Sequence, residues 1–193
     1  MNGNDYKTEL WEKICSRDDM NAFESLFHSL NKRLIQFCVV YVRRIEIAEE
    51  IAADVFVKCW ENRKSMPEIK NIEAYLFVAV KNHSLNYLKK YSSVTWNSLQ
   101  NENKYELIDL FDPEKEIELK ELAFKMEQAI QSLPLQAQLV FRLIKEDGMK
   151  YKDAAEILDI SPKTVQTQLY RAIKKLSHIF SAYQTKAVCK SNT

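Results

Sequence analysis

Apolar side chains recur at helical spacing along most of this chain of 193 residues. Intervals of three and four residues predict a long amphipathic helix over Asn21–Val42, after a short one over Glu9–Cys15. The same spacing predicts four further helices, over Glu46–Asn62, Glu73–Tyr91, Pro113–Gln131 and Leu135–Glu146. Gly148 follows the last of these at a position where glycine commonly ends a helix. The pattern therefore favours an all-α fold.

The helix predicted over Glu46–Asn62 has a wider apolar arc than one side of a small core requires. Two neighbouring stripes make up this arc, namely Ile47, Ile51, Val55 and Cys59, and beside them Ala48, Ala52, Phe56 and Trp60. Val57 extends the apolar surface further round the helix. Such a helix is either centrally buried or half covered by a partner, and periodicity alone favours burial.

The helix predicted over Glu73–Tyr91 carries amides and lysines beside aromatic rings. Its polar groups recur at helical spacing at Asn82, Asn86, Lys89 and Lys90, with Lys81 nearby. Its aromatic residues are interleaved with these groups at Tyr75, Phe77, Tyr87 and Tyr91. Proteins bind single-stranded nucleic acid with this combination, through base stacking and contacts with phosphates. A solvated lysine-bearing face above core aromatics explains the pattern equally well.

The stretch Tyr151–Leu176 reads as two short helices joined by a tight turn, the pattern of a helix-turn-helix. Ser161 stands at the N-cap position of the second helix, and Pro162 follows at its first position. The turn carries Asp159 where glycine is usual, and Asp tolerates the left-handed conformation better than most residues. The second helix turns its apolar side inward, at Val165, Leu169, Ile173 and Leu176.

The outward side of that second helix is polar and basic. No Asp or Glu occurs from Ile160 to the C-terminus, although the whole chain has a net charge of only +1. A local excess of positive charge on an exposed helix is typical of a DNA-facing helix. The alternative is an ordinary solvated helix of a helical hairpin.

Composition and motifs narrow the class of protein further. Uninterrupted apolar runs such as Phe37–Val42 are too short to span a membrane, and the polar segment Met1–Glu9 lacks a signal-peptide core. We therefore expect a cytoplasmic protein with no membrane insertion of its own. The four cysteines form no CxxC pair, the three histidines are isolated, and phosphate-binding glycine loops are absent. We expect no enzyme activity, no catalytic residues, no metal and no cofactor.

The segment Ser92–Asp112 breaks the helical periodicity and is rich in polar and acidic residues. It predicts a linker between two domains. The predicted architecture is all-α, with two small helical domains joined by this polar linker. The first domain covers residues 1–91, and the second covers residues 113–193 and ends in the helix-turn-helix.

Three blocks of sequence, in this order, carry a resemblance to a known family. The first two are AEEIAADVFVKCW at Ala48–Trp60 and IEAYLFVAVKNHSLNYLKKY at Ile72–Tyr91. The third runs from Leu133 to Ala172 and includes the helix-turn-helix. The chain thereby resembles the extracytoplasmic-function (ECF) sigma factors of bacterial RNA polymerase, within the sigma-70 family. It is most similar to members from Bacteroidetes-like bacteria that work with a membrane-bound anti-sigma factor.

The resemblance implies partners and site residues for each block. The first block would dock on core RNA polymerase through Glu50, Asp54, Val57, Lys58 and Glu61. The second block and the preceding loop would open the minus-10 element of promoter DNA through Lys70, Asn71, Lys81, Asn82, Asn86, Lys89 and Lys90. The helix-turn-helix would read the minus-35 element through Ser161, Lys163, Thr164, Gln166, Thr167, Tyr170, Arg171 and Lys174.

Two positions depart from the family pattern, because Asn86 stands where many members carry Asp and Asp159 replaces the usual glycine. Two other classes of protein are alternatives. One is a helix-turn-helix transcriptional regulator that acts without docking on core polymerase and has an N-terminal sensing domain. The other is a helical adaptor that binds only protein, which would tolerate charge reversal at Lys163 and Arg171.

Overall fold

The computed structural model describes residues 3–95 and 117–190. Eight α-helices occupy most of these ranges, namely α1 (Gly3–Arg17), α2 (Met20–Val42), α3 (Ile45–Glu61), α4 (Ile72–Thr95), α5 (Ile117–Gln131), α6 (Leu135–Phe141), α7 (Tyr151–Leu158) and α8 (Pro162–Lys190). Within the same ranges no strand occurs, and the predicted all-α class is confirmed.

The helices form two compact units, with α1–α4 in the first and α5–α8, apart from the end of α7, in the second. Helix α4 runs to Thr95, so the chain stays helical for four residues beyond the start of the linker predicted at Ser92. The remainder of that linker, Trp96 to Asp112, and the predicted helix start at Pro113 lie outside the described residues.

The first unit is built around α2, which packs against α1, α3 and α4. Its largest fully buried side chains include one aromatic residue from each helix, Trp11, Phe37, Phe56 and Phe77. The rings of Phe37 and Phe77 meet edge to face with their centroids 5.1 Å apart. Such a pair contributes about 0.5–1.5 kcal/mol beyond the area it buries, and it fixes α4 against α2.

Side-chain and backbone caps define where these helices begin and end. The backbone N–H of Ala22 donates to the Asp19 carboxylate at 3.0 Å, so Asp19 is the N-cap of α2. Arg43 ends α2 in the left-handed conformation, with φ 61°. Asn71 caps α4 in the same way as Asp19 caps α2, because its side-chain oxygen accepts from the N–H of Ala74 at 3.0 Å.

The second unit encloses a core from α6, α7 and α8. Helix α6 continues into a π-helical turn over Arg142–Glu146, so the predicted helix over Leu135–Glu146 is helical throughout. Gly148 then adopts φ +66°, the left-handed conformation expected at its position. The N–H of Met149 reaches back to the carbonyl of Leu143 at 2.9 Å and closes this helix end.

A buried arginine ties the π-helical turn to α5. The guanidinium of Arg142 donates through Nη1 to Glu146 Oε2 at 2.9 Å and through Nη2 to Glu127 Oε1. Burial disfavours the charge on Arg142, but the two carboxylates outweigh burial and raise its pKa. The side chain of Arg142 is only 11% exposed, against 23% for Glu127 and 36% for Glu146.

The turn between α7 and α8 has the geometry of a Schellman motif. Asp159 adopts φ 57°, the N–H of Ile160 donates to the carbonyl of Ala155 at 3.0 Å, and the N–H of Asp159 donates to that of Glu156. The prediction that Asp159 takes the place of glycine in this turn is confirmed. The N–H of Thr164 donates to Ser161 Oγ at 3.0 Å, which confirms the predicted N-cap.

The predicted inward face of α8 needs one correction. Val165, Leu169 and Leu176 are buried, but Ile173 is 40% exposed and Ala172 is fully buried. Ala172 and Leu176 lie seven and eleven positions after Val165, and at about 100° per residue both point within about 20° of its direction. Ile173 lies eight positions after Val165 and points about 80° away from it. The core therefore takes Ala172 and leaves Ile173 at its edge.

Replacing the N-cap of α8 tests its contribution to stability. We expect Ser161→Ala to lower the free energy of unfolding by about 1 kcal/mol, because the N–H of Thr164 loses its acceptor. Urea unfolding followed by circular dichroism measures this change. Ser161→Asp restores a capping oxygen and should retain wild-type stability. An equal loss in both variants would show that the hydrogen bond to the Thr164 N–H does not account for the contribution of Ser161.

Candidate polymerase and nucleic-acid interfaces

One face of α3 is free of the core and carries every residue predicted to dock on polymerase. Glu50, Asp54, Val57, Lys58 and Glu61 are all exposed. Most residues of the two apolar stripes are buried, and Ile47 and Trp60 are half-buried, so the burial favoured by periodicity is confirmed for the stripes. Val57 is the exception, since 55% of it is exposed. The α3 face thus presents three carboxylates and one lysine around an exposed valine.

Charged residues of the α3 face affect the pKa of His83 on α4. Burial lowers the pKa of His83, Lys58 lowers it further, and Asp54 acts in the opposite direction. The structure places the His83 side chain in a half-buried position. The boundary between the α3 and α4 surfaces therefore runs beside Lys58.

Three of the residues predicted to contact the minus-10 element share one exposed side of α4. Asn82, Asn86 and Lys89 are exposed and recur at intervals of four and three, which places them on one helix face. Tyr75, seven residues before Asn82, adds an exposed ring to the same face. Lys81 is half-buried and Lys90 is exposed. They are nine positions apart, which corresponds to about 180° around the helix, so they flank this face on opposite sides.

The aromatic residues of α4 have different environments. Phe77 is fully buried against Phe37, which favours the alternative of core aromatics at this position. It lies three positions before Val80, on the side that α4 turns to α2. Tyr87 and Tyr91 form a ring pair with centroids 4.6 Å apart, and the ammonium of Lys90 lies 5.5 Å from the centre of Tyr91.

The loop between α3 and α4, residues 62–71, carries the other two minus-10 candidates. Lys70 is exposed, and Asn71 is half-buried because it caps α4. Side chains of α1 and of the residue after it contact this loop: the Trp11 indole donates to the Met66 carbonyl at 3.2 Å, and Asp18, directly after α1, pairs with Arg63. This role of α1 has no signal in the sequence, because no local pattern relates residues more than 40 positions apart.

The outward side of α8 collects the residues predicted to read the minus-35 element. Seven are exposed, namely Ser161, Lys163, Gln166, Thr167, Tyr170, Arg171 and Lys174, and Thr164 is half-buried beside the Ser161 cap. Tyr170 is the most exposed large hydrophobic residue among those described, at 67%. A helix with this side free and its opposite side in the core can enter a major groove.

Two cysteines of the first unit, Cys38 and Cys59, are core residues. Burial raises the pKa of Cys38 to about 11 and that of Cys59 to about 12, so both are protonated at neutral pH. Within the described ranges no group of three or more His, Cys, Asp or Glu side chains could hold a metal ion. Among the helices of the described residues, none is long and apolar enough to cross a membrane.

Comparison with known protein families shows that all three candidate surfaces lie in matched regions. Residues 26–94 match the model of sigma-70 region 2, and residues 123–176 match the model of sigma-70 region 4. The first match contains the α3 face, the loop and α4, and the second contains the helix-turn-helix. The two matches together cover more than half of the chain. The chain therefore belongs to the sigma-70 family of RNA polymerase sigma factors.

Individual relatives agree with this assignment. The chain is 23% identical over 171 residues to the ECF RNA polymerase sigma factor SigW of Bacillus subtilis, covering 85% of this chain and 91% of SigW. Its fold is similar to that of RpoE in a complex with the anti-sigma factor NepR from Bartonella quintana, with TM-score 0.67, 20% identity and coverage of 84% and 98%. CnrH, solved with the cytosolic domain of CnrY, is similar with TM-score 0.63, 20% identity and coverage of 92% and 98%.

Proposed function

We propose that this protein is an ECF sigma factor that binds core RNA polymerase and directs promoter-specific transcription initiation. The observation that carries this function is the presence of sigma-70 regions 2 and 4 in order, each containing an exposed candidate surface. The protein performs no chemistry of its own in this proposal. It supplies one docking surface and two DNA-reading surfaces to the polymerase.

The α3 face is the surface for core polymerase. Glu50, Asp54 and Glu61 surround Val57, so an apolar contact would be enclosed by charges that orient the partner. Interfaces commonly have an apolar centre and a polar rim. The carboxylates favour a partner surface with positive charge, which would also accelerate association.

The loop and the exposed side of α4 act on the minus-10 element. Opening a promoter exposes unpaired bases, and extruding one base costs a few kcal/mol, which stacking and hydrogen bonds in a protein pocket can repay. The loop residues Lys70 and Asn71 lie directly before α4, where Asn82, Asn86 and Lys89 would hold the opened strand. Lys81 and Lys90, on the two flanks, would meet phosphates rather than bases.

Helix α8 reads the minus-35 element in the major groove. Lys163, Thr164, Thr167 and Arg171 would lie near base edges, and Ser161, Gln166, Tyr170 and Lys174 would complete the contact. Phosphate contacts would set the register of the helix on the duplex, and contacts with base edges would supply specificity.

The remaining partner is an inhibitor of the sigma factor. The similar folds of RpoE and CnrH were each solved with a protein partner, the first of them named as an anti-sigma factor. We infer that this protein is cytoplasmic and is regulated by a membrane-bound anti-sigma factor, as in the Bacteroidetes-like subgroup that its sequence resembles. The exposed α3 and α8 surfaces are the ones such an inhibitor would need to cover.

The decisive experiment is reconstitution with purified bacterial core RNA polymerase. We expect the protein to co-elute with core polymerase in gel filtration and to produce promoter-specific transcripts in a run-off assay. A well-folded protein that binds promoter DNA without co-eluting would indicate a helix-turn-helix regulator that acts without core docking. A protein that binds neither would indicate the adaptor.

Replacement of one recognition-helix cation should weaken binding to the minus-35 element. We expect Arg171→Ala to lower the affinity of the holoenzyme for the minus-35 duplex by about 1–3 kcal/mol if Arg171 contacts a base. Fluorescence anisotropy with a labelled duplex measures the change. Lys175→Gln is the matched control, since it removes one charge from a lysine that contacts the Ser132 carbonyl at 2.5 Å. Equal affinities of Arg171→Ala and wild type would exclude Arg171 from the interface.

A further inference from the structure

Helix α1 precedes the part of the chain matched by sigma-70 region 2, yet its side chains contact the loop between α3 and α4 along most of its length. Thr8 and Trp11 are three residues apart and therefore share one side of α1. Asp18 follows the last residue of the helix in a left-handed conformation, with φ 53°. These three residues form what we call the α1 clamp.

The α1 clamp holds the loop at three successive points. At the start of the loop, the Asp18 carboxylate lies 2.7 Å from Arg63 Nε and 3.0 Å from Lys64 Nζ. In the middle, the buried Trp11 indole donates to the Met66 carbonyl at 3.2 Å. At the end, the Thr8 hydroxyl donates to the Lys70 carbonyl at 3.3 Å.

Just after the loop, α1 is also tied to the first turn of α4. The ammonium of Lys7 lies 2.5 Å from one oxygen of Glu73, and the other oxygen accepts from Arg33 of α2. The three side chains are mostly buried, so this ion pair fixes the direction in which α4 leaves the loop. The loop and the start of α4 are thus positioned from the same helix.

The loop has little regular structure of its own to keep this shape. A single 3-10 turn spans Arg63–Ser65, and the backbone hydrogen bonds that follow, from Met66 to Arg63 and from Ile69 to Met66, are long at 3.4 Å. Its outer side chains, Lys64, Ser65, Pro67, Glu68 and Lys70, are exposed. One side of the loop is therefore held by α1 while the other is open to a ligand.

We propose that the α1 clamp is a specificity-determining part of the minus-10 site: Thr8, Trp11 and Asp18 fix the shape of the loop that receives an extruded base of the single-stranded minus-10 element. The inference rests on the proposed reading of the minus-10 element by this loop. The clamp residues are positioning residues, since they contact the loop backbone and its basic side chains rather than the DNA. If the clamp is loosened, the loop can adjust to incorrect bases, so the difference in affinity between the correct base and the incorrect ones becomes smaller.

The test uses full-length protein in holoenzyme and a labelled single-stranded oligonucleotide. The oligonucleotide carries the nontemplate minus-10 element of a promoter that the wild-type holoenzyme transcribes, and a series of others carries each single-base change. Thr8→Val removes the hydroxyl and keeps the side-chain shape, and Trp11→Phe removes the indole N–H. We expect each to reduce the preference for the native base at one position by about 3- to 10-fold, the effect of one lost hydrogen bond.

Two control variants separate positioning from general stability. Ile14→Val removes one methyl group from the same buried side of α1 and removes no hydrogen bond, and Ser16→Ala removes an exposed hydroxyl that bonds only within α1. Both should keep the base preference of the wild type. Thr8→Val carries the test if Trp11→Phe does not fold.

The outcomes distinguish this inference from the proposed function. Loss of base preference in the clamp variants, with core binding and minus-35 affinity unchanged, supports the clamp. Unchanged preference, or a loss that Ile14→Val reproduces, overturns it and leaves α1 a structural helix. A wild-type holoenzyme that transcribes the promoter but shows no preference among the oligonucleotides would overturn base reading by the loop, and with it the clamp.

Discussion

Asp54→Arg should abolish co-elution with core RNA polymerase while leaving the protein folded. Asp54 is exposed on the α3 face, three residues before Val57 and one turn from both Glu50 and Lys58, so no core contact depends on its charge. Loss of one partner of a charge pair that is buried on binding costs about 2–5 kcal/mol, and a like charge adds repulsion. The affinity for core polymerase should therefore fall by at least about 30-fold.

The measurement is gel filtration of the variant with core polymerase, supported by a titration of labelled protein. Glu24→Arg is the matched control, because it makes the same charge reversal at another exposed position in the first unit. Glu24→Arg should bind core polymerase like the wild type. Normal binding by Asp54→Arg would remove Asp54 from the interface, and a variant with lost helicity would show instead that the carboxylate is structural.

Arg142→Leu should strongly destabilise the second unit. The substitution removes hydrogen bonds to two carboxylates and leaves Glu127 and Glu146 facing each other without a cation. Breaking a fully buried ion pair costs 3–5 kcal/mol; both glutamates retain some solvent here, so we expect about 2–4 kcal/mol. Urea unfolding followed by circular dichroism measures the loss.

The loss should depend on pH in a defined direction. Burial raises the pKa of Glu146, and Arg142 opposes this rise, so removing Arg142 raises the pKa further. A carboxyl with a raised pKa in the folded protein stabilises the fold at acid pH, and that contribution is lost as the pH rises through its folded pKa. The difference between Arg142→Leu and wild type should therefore be smaller near pH 4 than at pH 7.

Two further variants identify the cause of that loss. Arg142→Leu combined with Glu127→Gln should recover about 1 kcal/mol, because one of the two repelling carboxylates is removed. Lys145→Leu changes an exposed cation in the same turn and should alter stability by no more than about 0.5 kcal/mol. A loss in Lys145→Leu equal to that in Arg142→Leu would refute the role of the buried ion pair.

Much of the candidate site could be predicted because its elements are local. The Ser161 cap, the turn at Asp159 and the helix end at Gly148 all depend on residues within one or two turns of each other. Helical spacing also fixes which residues of α3 and α4 share a face, although it does not say which face of α3 stays exposed. Such features were therefore accessible without knowledge of the neighbouring helices.

Spacing was insufficient where a neighbouring helix decides between two acceptable arrangements. Spacing allows either Ala172 or Ile173 to extend the apolar side of α8, and the structure buries Ala172. Spacing also allows Phe77 to belong to an exposed aromatic set, but α2 brings Phe37 against it. Periodicity gives the angle of a side chain on its own helix, and only packing decides how wide the buried arc is.

The sequence by itself determined most of the helical elements, the Ser161 cap, the helix end at Gly148, the basic outer side of α8 and the order of the blocks that resemble a sigma factor. The tertiary structure decided which side of α3 stays free for a partner, how Arg142 is paired with Glu127, and that Trp11 holds the carbonyl of Met66. The physical reason is separation along the chain. Helical spacing and capping act over fewer than a dozen residues, whereas these contacts join residues 15 or more apart and form only when helices pack.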